Sequence, residues 1–122
     1  PGTYRDGGIV DYHIDLPTSG PEDLTLYPHF SDRLIPGWFD KRLPKRRVSA
    51  VNSRNTIVLC PSHAFVAGLP GGKIPDRTDF KNYSDAERVQ VWRQTIDRCR
   101  VLADELREVL ATDRLPQRLE AR

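Results

Sequence analysis

Asn55-Thr56-Ile57-Val58-Leu59-Cys60 is a continuous β-branched and aliphatic run, with Asn at its head and Pro61 directly after it. A run of this kind suits a strand buried on both faces, which calls for parallel neighbours and helices over both sides. This stretch places the chain in the α/β class. Working outward, Leu24-Thr25-Leu26-Tyr27 reads as a second short strand, closed by Pro28, which has no N–H to give a ladder. Further back, Ile9-Val10-Asp11-Tyr12-His13-Ile14-Asp15-Leu16 alternates apolar and polar from Val10 onward and predicts a half-buried strand, with a turn at Pro17–Pro21 after it. Between the strands, Pro36-Gly37-Trp38-Phe39-Asp40 can open a helical turn that Pro44 cuts short.

Towards the carboxy end the periodicity changes. A short helix fits Ser62–Leu69, Pro70-Gly71-Gly72 breaks it, and Lys73–Tyr83 reads as loop. Ser84 with Glu87 three residues on is a capping box. Val89, Trp92, Ile96, Cys99, Ala103, Leu106 and Leu110 then follow at alternating spacings of three and four, with Val91, Val101, Leu102 and Val109 widening the stripe. That pattern predicts one long amphipathic helix over 84–112, its apolar stripe packed within its own domain or against a partner helix. Asp113–Arg122 is highly charged, contains Pro116 and is expected to fray.

Composition narrows the function classes. With 122 residues the chain can build one modest core, and with 19 Lys and Arg against 17 Asp and Glu its net charge of +2 does not argue for nucleic acid. Thr56–Cys60 and Ala64–Leu69 are far shorter than the ~18–20 apolar residues of a membrane helix. Arg5, Asp6, Asp11 and Asp15 do not read as a secretory signal. Cys60 and Cys99 are expected as small core residues, with no disulfide framework. Lys41, Arg42, Lys45, Arg46 and Arg47 put five cations into seven residues. Beside Trp38 and Phe39, they form a candidate contact for an anionic membrane surface or a solvated loop. His13, His29 and His63 lack the close spacing of metal ligands, so neither metal nor cofactor is expected. Leu69-Pro70-Gly71-Gly72-Lys73 lacks the spacing of a phosphate-binding loop and reads as a turn. Ser62 and His63, with Asp6, Asp11 or Asp15, make a poor triad because adjacent residues of an extended chain face opposite ways.

Asp6-Gly7-Gly8 is the sharpest local feature: an acid followed by two residues that tolerate positive φ and close backbone approach. A tight loop of this kind holds a carboxylate where it can meet a nucleophile, or is simply a turn. Tyr4-Arg5-Asp6-Gly7-Gly8-Ile9-Val10-Asp11-Tyr12 resembles the Asp-Gly-Gly/Ala box of the patatin-like phospholipases. The resemblance continues more loosely through Leu26-Tyr27-Pro28-His29-Phe30 and Ile35-Pro36-Gly37-Trp38-Phe39-Asp40-Lys41. It implies an α/β/α sandwich and a lipid acyl hydrolase working through a Ser/Asp dyad, with Asp6 as the acid and Gly7-Gly8 as the turn that fixes it.

The family's G-x-S-x-G nucleophile elbow is missing: Ser19, Ser31, Ser49, Ser53, Ser62 and Ser84 all lack its flanking glycines. Residues 1–122 are therefore expected to be the carboxy-terminal part of such a domain, a strand and loop region (1–83), the long helix (84–112) and a tail (113–122), inactive without the amino-terminal part. The resemblance implies a lipid or ester substrate, and a location in the cytoplasm or at a membrane surface. Strands left without neighbours predict self-association or contact with the amino-terminal part. The rival class is a non-catalytic binding or assembly module in which Asp6-Gly7-Gly8 is a structural turn.

Overall fold

Thr56–Leu59 forms strand β2 and pairs in parallel with β1, Thr25–Pro28, in the register Thr25 to Thr56 through Pro28 to Leu59. The computed structural model describes residues 2–16, 20 and 22–120, so the turn read at Pro17–Pro21 lies outside the described residues apart from Gly20. The ladder continues one residue past each end, where Thr25 N donates to Asn55 O at 2.8 Å and His29 N donates to Leu59 O at 2.8 Å. The parallel pairing is as the apolar run predicts. The strand is half-buried instead of fully buried, because among the described residues the sheet has two strands. Between β1 and β2 lie a 3₁₀ turn at Trp38–Arg42 and a single helical turn α1, Ala50–Ser53.

The predicted strand over Ile9–Leu16 does not form. Gly7–Ile9 is a 3₁₀ turn, and Asp11 Oδ1 accepts from Asp15 N at 2.6 Å. Ile14 adopts a φ of 55°. Aspartate side chains offer backbone amides a local partner that competes with a ladder, and here they win over the alternating pattern.

Contacts divide the chain into two units, 1–61 and 62–122. In the second unit Ser62 caps α2, His63–Ala67, by accepting from Phe65 N at 3.2 Å. Gly71 and Gly72 follow with φ of 75° and 66°, conformations that favour glycine. The stretch read as loop contains one further helical turn, α3, Asp79–Asn82. The long helix α4, Asp85–Ala111, starts at the capping box as read: Glu87 Oε2 accepts from Ser84 N at 2.9 Å, and Glu87 N donates to Ser84 Oγ at 3.4 Å. After α4 the chain turns at Asp113 (φ 52°) and, instead of fraying, adds the turn α5, Leu115–Arg118. Pro116 sits in its first turn, where its fixed φ is helical, and Arg118 pairs with Glu105 at 2.8 Å.

The face α4 buries is one edge of the broad predicted stripe, and the helix is turned so that the other edge stays open. Thr95 and Val109 are buried and Val91, Trp92, Leu102 and Leu106 half-buried, whereas Val89, Ile96, Cys99, Ala103 and Leu110 are exposed. Two anchors set the rotation: Trp92 Nε1 donates to Asp79 Oδ2 at 2.9 Å, and the Arg98 guanidinium donates to Gly68 O. Cys99 is therefore not a core residue, while Cys60 is half-buried; the two are not joined in a disulfide. The accessible surface is 9712 Å². A globular chain of this mass exposes about 6,700 Å², and even two separate bodies of half the mass only about 8,000 Å². Among the described residues Val10, Phe39, Val51, Ile96 and Leu110 are large apolar side chains left more than half exposed.

Candidate active-site loop

Asp6 stands at the head of the Gly7–Ile9 turn in extended conformation, φ −62° and ψ 128°. Its Oδ1 accepts from Gly8 N at 2.7 Å. One carboxylate oxygen is thus held by the backbone while the residue as a whole is exposed, and no hydrogen bond from the described residues reaches Oδ2. The glycines serve the loop differently from the reading: neither takes a positive φ. A Cβ on Gly8 would lie 3.1 Å from Asp6 Oδ1, whereas one on Gly7 would meet nothing within 4 Å. Gly8 gives the carboxylate room to fold back onto its own amide.

The loop is tied down from Pro36-Gly37. Tyr12 N donates to Pro36 O at 2.7 Å, and a Cβ on Gly37 would stand 2.9 Å from Ile9 O, closer than real Cβ atoms come to a carbonyl. Gly37→Ala is therefore expected to push the acidic loop outward and to destabilise the first unit by about 1–3 kcal/mol, the range for overpacking, read as a lower urea midpoint.

Beneath the loop lies a cluster of rings. His13 stacks on Tyr12 with centroids 4.3 Å apart and meets His29 at 4.4 Å and Phe30 edge-on at 5.7 Å. Ile35 N donates to His13 Nδ1 at 3.0 Å, which puts the proton of the neutral ring on Nε2; that atom is buried without a hydrogen-bond partner. His13 is only 5% exposed, and burial, with the nearby His29 and Lys41 adding to it, lowers its pKa from 6.5 to about 4. Between these values the unfolded chain binds a proton the folded chain does not. Stability is therefore full above pH 6.5 and falls as pH drops towards 4, on the order of 1–2 kcal/mol after allowing for screening by water. His13→Asn keeps an acceptor for Ile35 N, and should flatten the acid limb of a denaturation series between pH 7 and 4.

The basic run divides by partner. Lys41 Nζ sits 3.2 Å from the Trp38 ring centroid and 4.0 Å from that of Tyr12, so this cation is spent on the ring cluster. Arg46 pairs with Asp40 at 3.3 Å and the Arg47 guanidinium donates to Pro44 O, while Arg42, Lys45 and Phe39 are exposed.

The remaining candidates are structural in the positions the fold puts them. Ser62 is the α2 cap, and His63 is exposed on its first turn. Asp15 accepts from Ser49 N at 3.0 Å and from Asn52 Nδ2 at 3.2 Å, pinning α1. His29 Nδ1 lies 2.8 Å from Ser31 O. Among the described residues no group of three or more His, Cys, Asp or Glu side chains can hold a metal ion. Lys73 closes the Gly71-Gly72 turn with ion pairs to Asp76 at 3.3 Å and Asp79 at 2.6 Å, as a turn and not a phosphate loop requires.

Asp79 is the residue that sequence reading passes over. It is 1% exposed and accepts from Lys73 Nζ, Trp92 Nε1 and Asp76 N, which last lies at 3.1 Å. The Lys73 and Trp92 hydrogen bonds, in that order, hold its carboxyl below the usual carboxylate range. Its one sequence signal is an acid thirteen residues before a tryptophan, which no periodicity links. No helix among the described residues is long and apolar enough to cross a membrane. No protein-family model, curated protein or solved structure matches this chain.

Proposed function

We propose that this chain is the part of a patatin-like lipid acyl hydrolase that supplies the aspartate of a Ser/Asp dyad, within an α/β/α sandwich completed by sequence outside residues 1–122. The observation that carries the reading is the state of Asp6: an exposed carboxylate with one oxygen anchored on Gly8 N at 2.7 Å and the other directed to neither backbone nor side chain among the described residues. A general base needs this combination of fixed orientation and an accessible lone pair. In the reaction, Asp6 takes the proton from the serine Oγ as that oxygen bonds to the ester carbonyl carbon. The proton then passes to the departing alkoxide, and water repeats the sequence to release the fatty acid. Gly8 and the Pro36-Gly37 clamp keep the carboxylate in place through both half-reactions.

The substrate class, a lipid or other carboxylic ester, comes from the resemblance of Tyr4–Tyr12 and carries with it the action of exposed Phe39, Arg42 and Lys45 at an anionic lipid surface. The test is ester and phospholipid hydrolysis by the full-length polypeptide with and without Asp6→Asn. Unchanged turnover in the variant ends the dyad assignment. A second reading, a non-catalytic assembly module, is favoured by the uncovered apolar side of α4, and under it Asp6 is a helix cap and nothing more.

A further inference from the structure

Ile96 is 65%, Leu110 56% and Val89 46% exposed, and with Ala103 they recur every seven residues along one side of a helix of 27 residues. This line borders the side that packs within the second unit, where Trp92, which lies against Asp79 and Phe80, and Thr95, Leu102, Leu106 and Val109 are covered or half-covered. Along its other flank the sequence reads Arg93, Asp97, Arg100, Asp104, Arg107, a charge that changes sign at every step. Arg100 and Arg107 bond Asp97 and Asp104 along the same flank at 3.4 and 2.7 Å, and all four side chains remain more than half exposed.

We infer that this face of α4 is the docking surface for a second copy of the chain, laid antiparallel about a two-fold axis near Cys99. The charge pattern selects the occupant and its direction. Antiparallel copies bring like flanks together. With the axis at residue 99, Arg93 falls within one residue of the level of the copy's Asp104, and Asp97 of its Arg100, which by symmetry makes four ion pairs. In the same register Val89 lies against the copy's Leu110, and Ile96 against its Ala103. A parallel pair would instead set the charged flank against the side of Thr95, Leu102 and Val109, which already packs within the chain.

Two helices about 40 Å long that touch along a strip of about 10–12 Å hide close to 1,000 Å² in total, the lower bound for a specific interface. The dimer is accordingly weak, with a dissociation constant on the order of micromolar. This inference is independent of the role of Asp6.

The experiment is sedimentation of the 122-residue chain from about 1 to 200 µM, paired with cross-linking in a Cys60→Ser, Cys99→Ser background. Concentration-dependent dimers are expected. Val89→Cys chains mixed with Leu110→Cys chains should cross-link to each other far more than Val89→Cys chains do among themselves. Ile96→Glu, at an exposed position that leaves the helix intact by circular dichroism, should abolish the dimer. Arg93→Glu should weaken it at least about tenfold, and adding Asp104→Lys should restore it. A monomer throughout the range overturns the inference, as does a dimer indifferent to Ile96→Glu, preferential Val89–Val89 cross-linking, or no rescue by the charge swap.

Discussion

In the full-length polypeptide, Asp6→Asn is expected to lower kcat on a short-chain ester by about 10²–10⁴-fold, the span attributed to a positioned general base. KM should change little, because the substitution removes a proton acceptor and no binding group. The fold should also survive, since an Asn oxygen can accept from Gly8 N as Asp6 Oδ1 does at 2.7 Å. The melting temperature of the variant should stay within a few degrees of the parent. Asp6→Ala differs in removing the cap as well, with an added loss of about 1 kcal/mol. A large fall in kcat at constant stability is the signature of a base; a fall in stability at constant kcat is the signature of a turn. The 122-residue chain alone should not release acid from an ester, because none of its serines has the flanking glycines of the elbow.

Asp79→Ala is expected to unfold the second unit at temperatures the parent withstands, lowering its Tm by more than about 10 °C. The carboxylate is the one acceptor shared by Lys73 Nζ at 2.6 Å, Trp92 Nε1 at 2.9 Å and Asp76 N at 3.1 Å. Removing it strands an indole N–H and a backbone amide, and leaves the Lys73 ammonium only its pair with Asp76 at 3.3 Å, in a region whose buried apolar residues among those described are Leu69 and Val109. Asp79→Asn should fall between parent and alanine variant, since its oxygen can keep one donor. Thermal unfolding followed by near-ultraviolet circular dichroism, with hydrogen exchange over Asp85–Ala111, checks this; protection of α4 unchanged in Asp79→Ala would contradict it. The same cluster sets a pH window. Hydrogen bonds from Lys73 and Trp92 hold the Asp79 carboxyl below its usual value, and bonds to Asp79 and Asp76 raise Lys73 above its own. The Asp79 contribution is present in full above the ordinary carboxylate range and is lost as pH falls from there through the lowered folded value, while that of Lys73 is lost only in strong base.

Elements that depend on near neighbours in the chain were legible as residues alone. The Ser84–Glu87 box marks the first residue of α4 because both of its hydrogen bonds span three positions. Thr56–Leu59 declares itself through β-branched side chains, and its parallel partner through the need to bury both faces. Ile9–Leu16 misled because alternation counts apolar residues and ignores what Asp11 does to the amide of Asp15. The Asp6 loop lay between these cases. Its capping bond is local and follows from Asp-Gly-Gly, while its support from Pro36 and Gly37 joins residues more than twenty positions apart.

Residue type and short-range spacing by themselves determined that this chain has a parallel strand pair, a capped helix of about eight turns and an acid on a glycine turn. Only the tertiary structure decided which side of that helix is covered. A stripe of Val89, Ile96 and Leu110 beside one of Thr95, Leu102 and Val109 offers two faces of comparable hydrophobicity, and the hydrophobic effect has no direction with which to choose between them. The choice fell to directional bonds from distant residues, Asp79 to Trp92 and Gly68 to Arg98, which turn the helix and leave its other apolar side open.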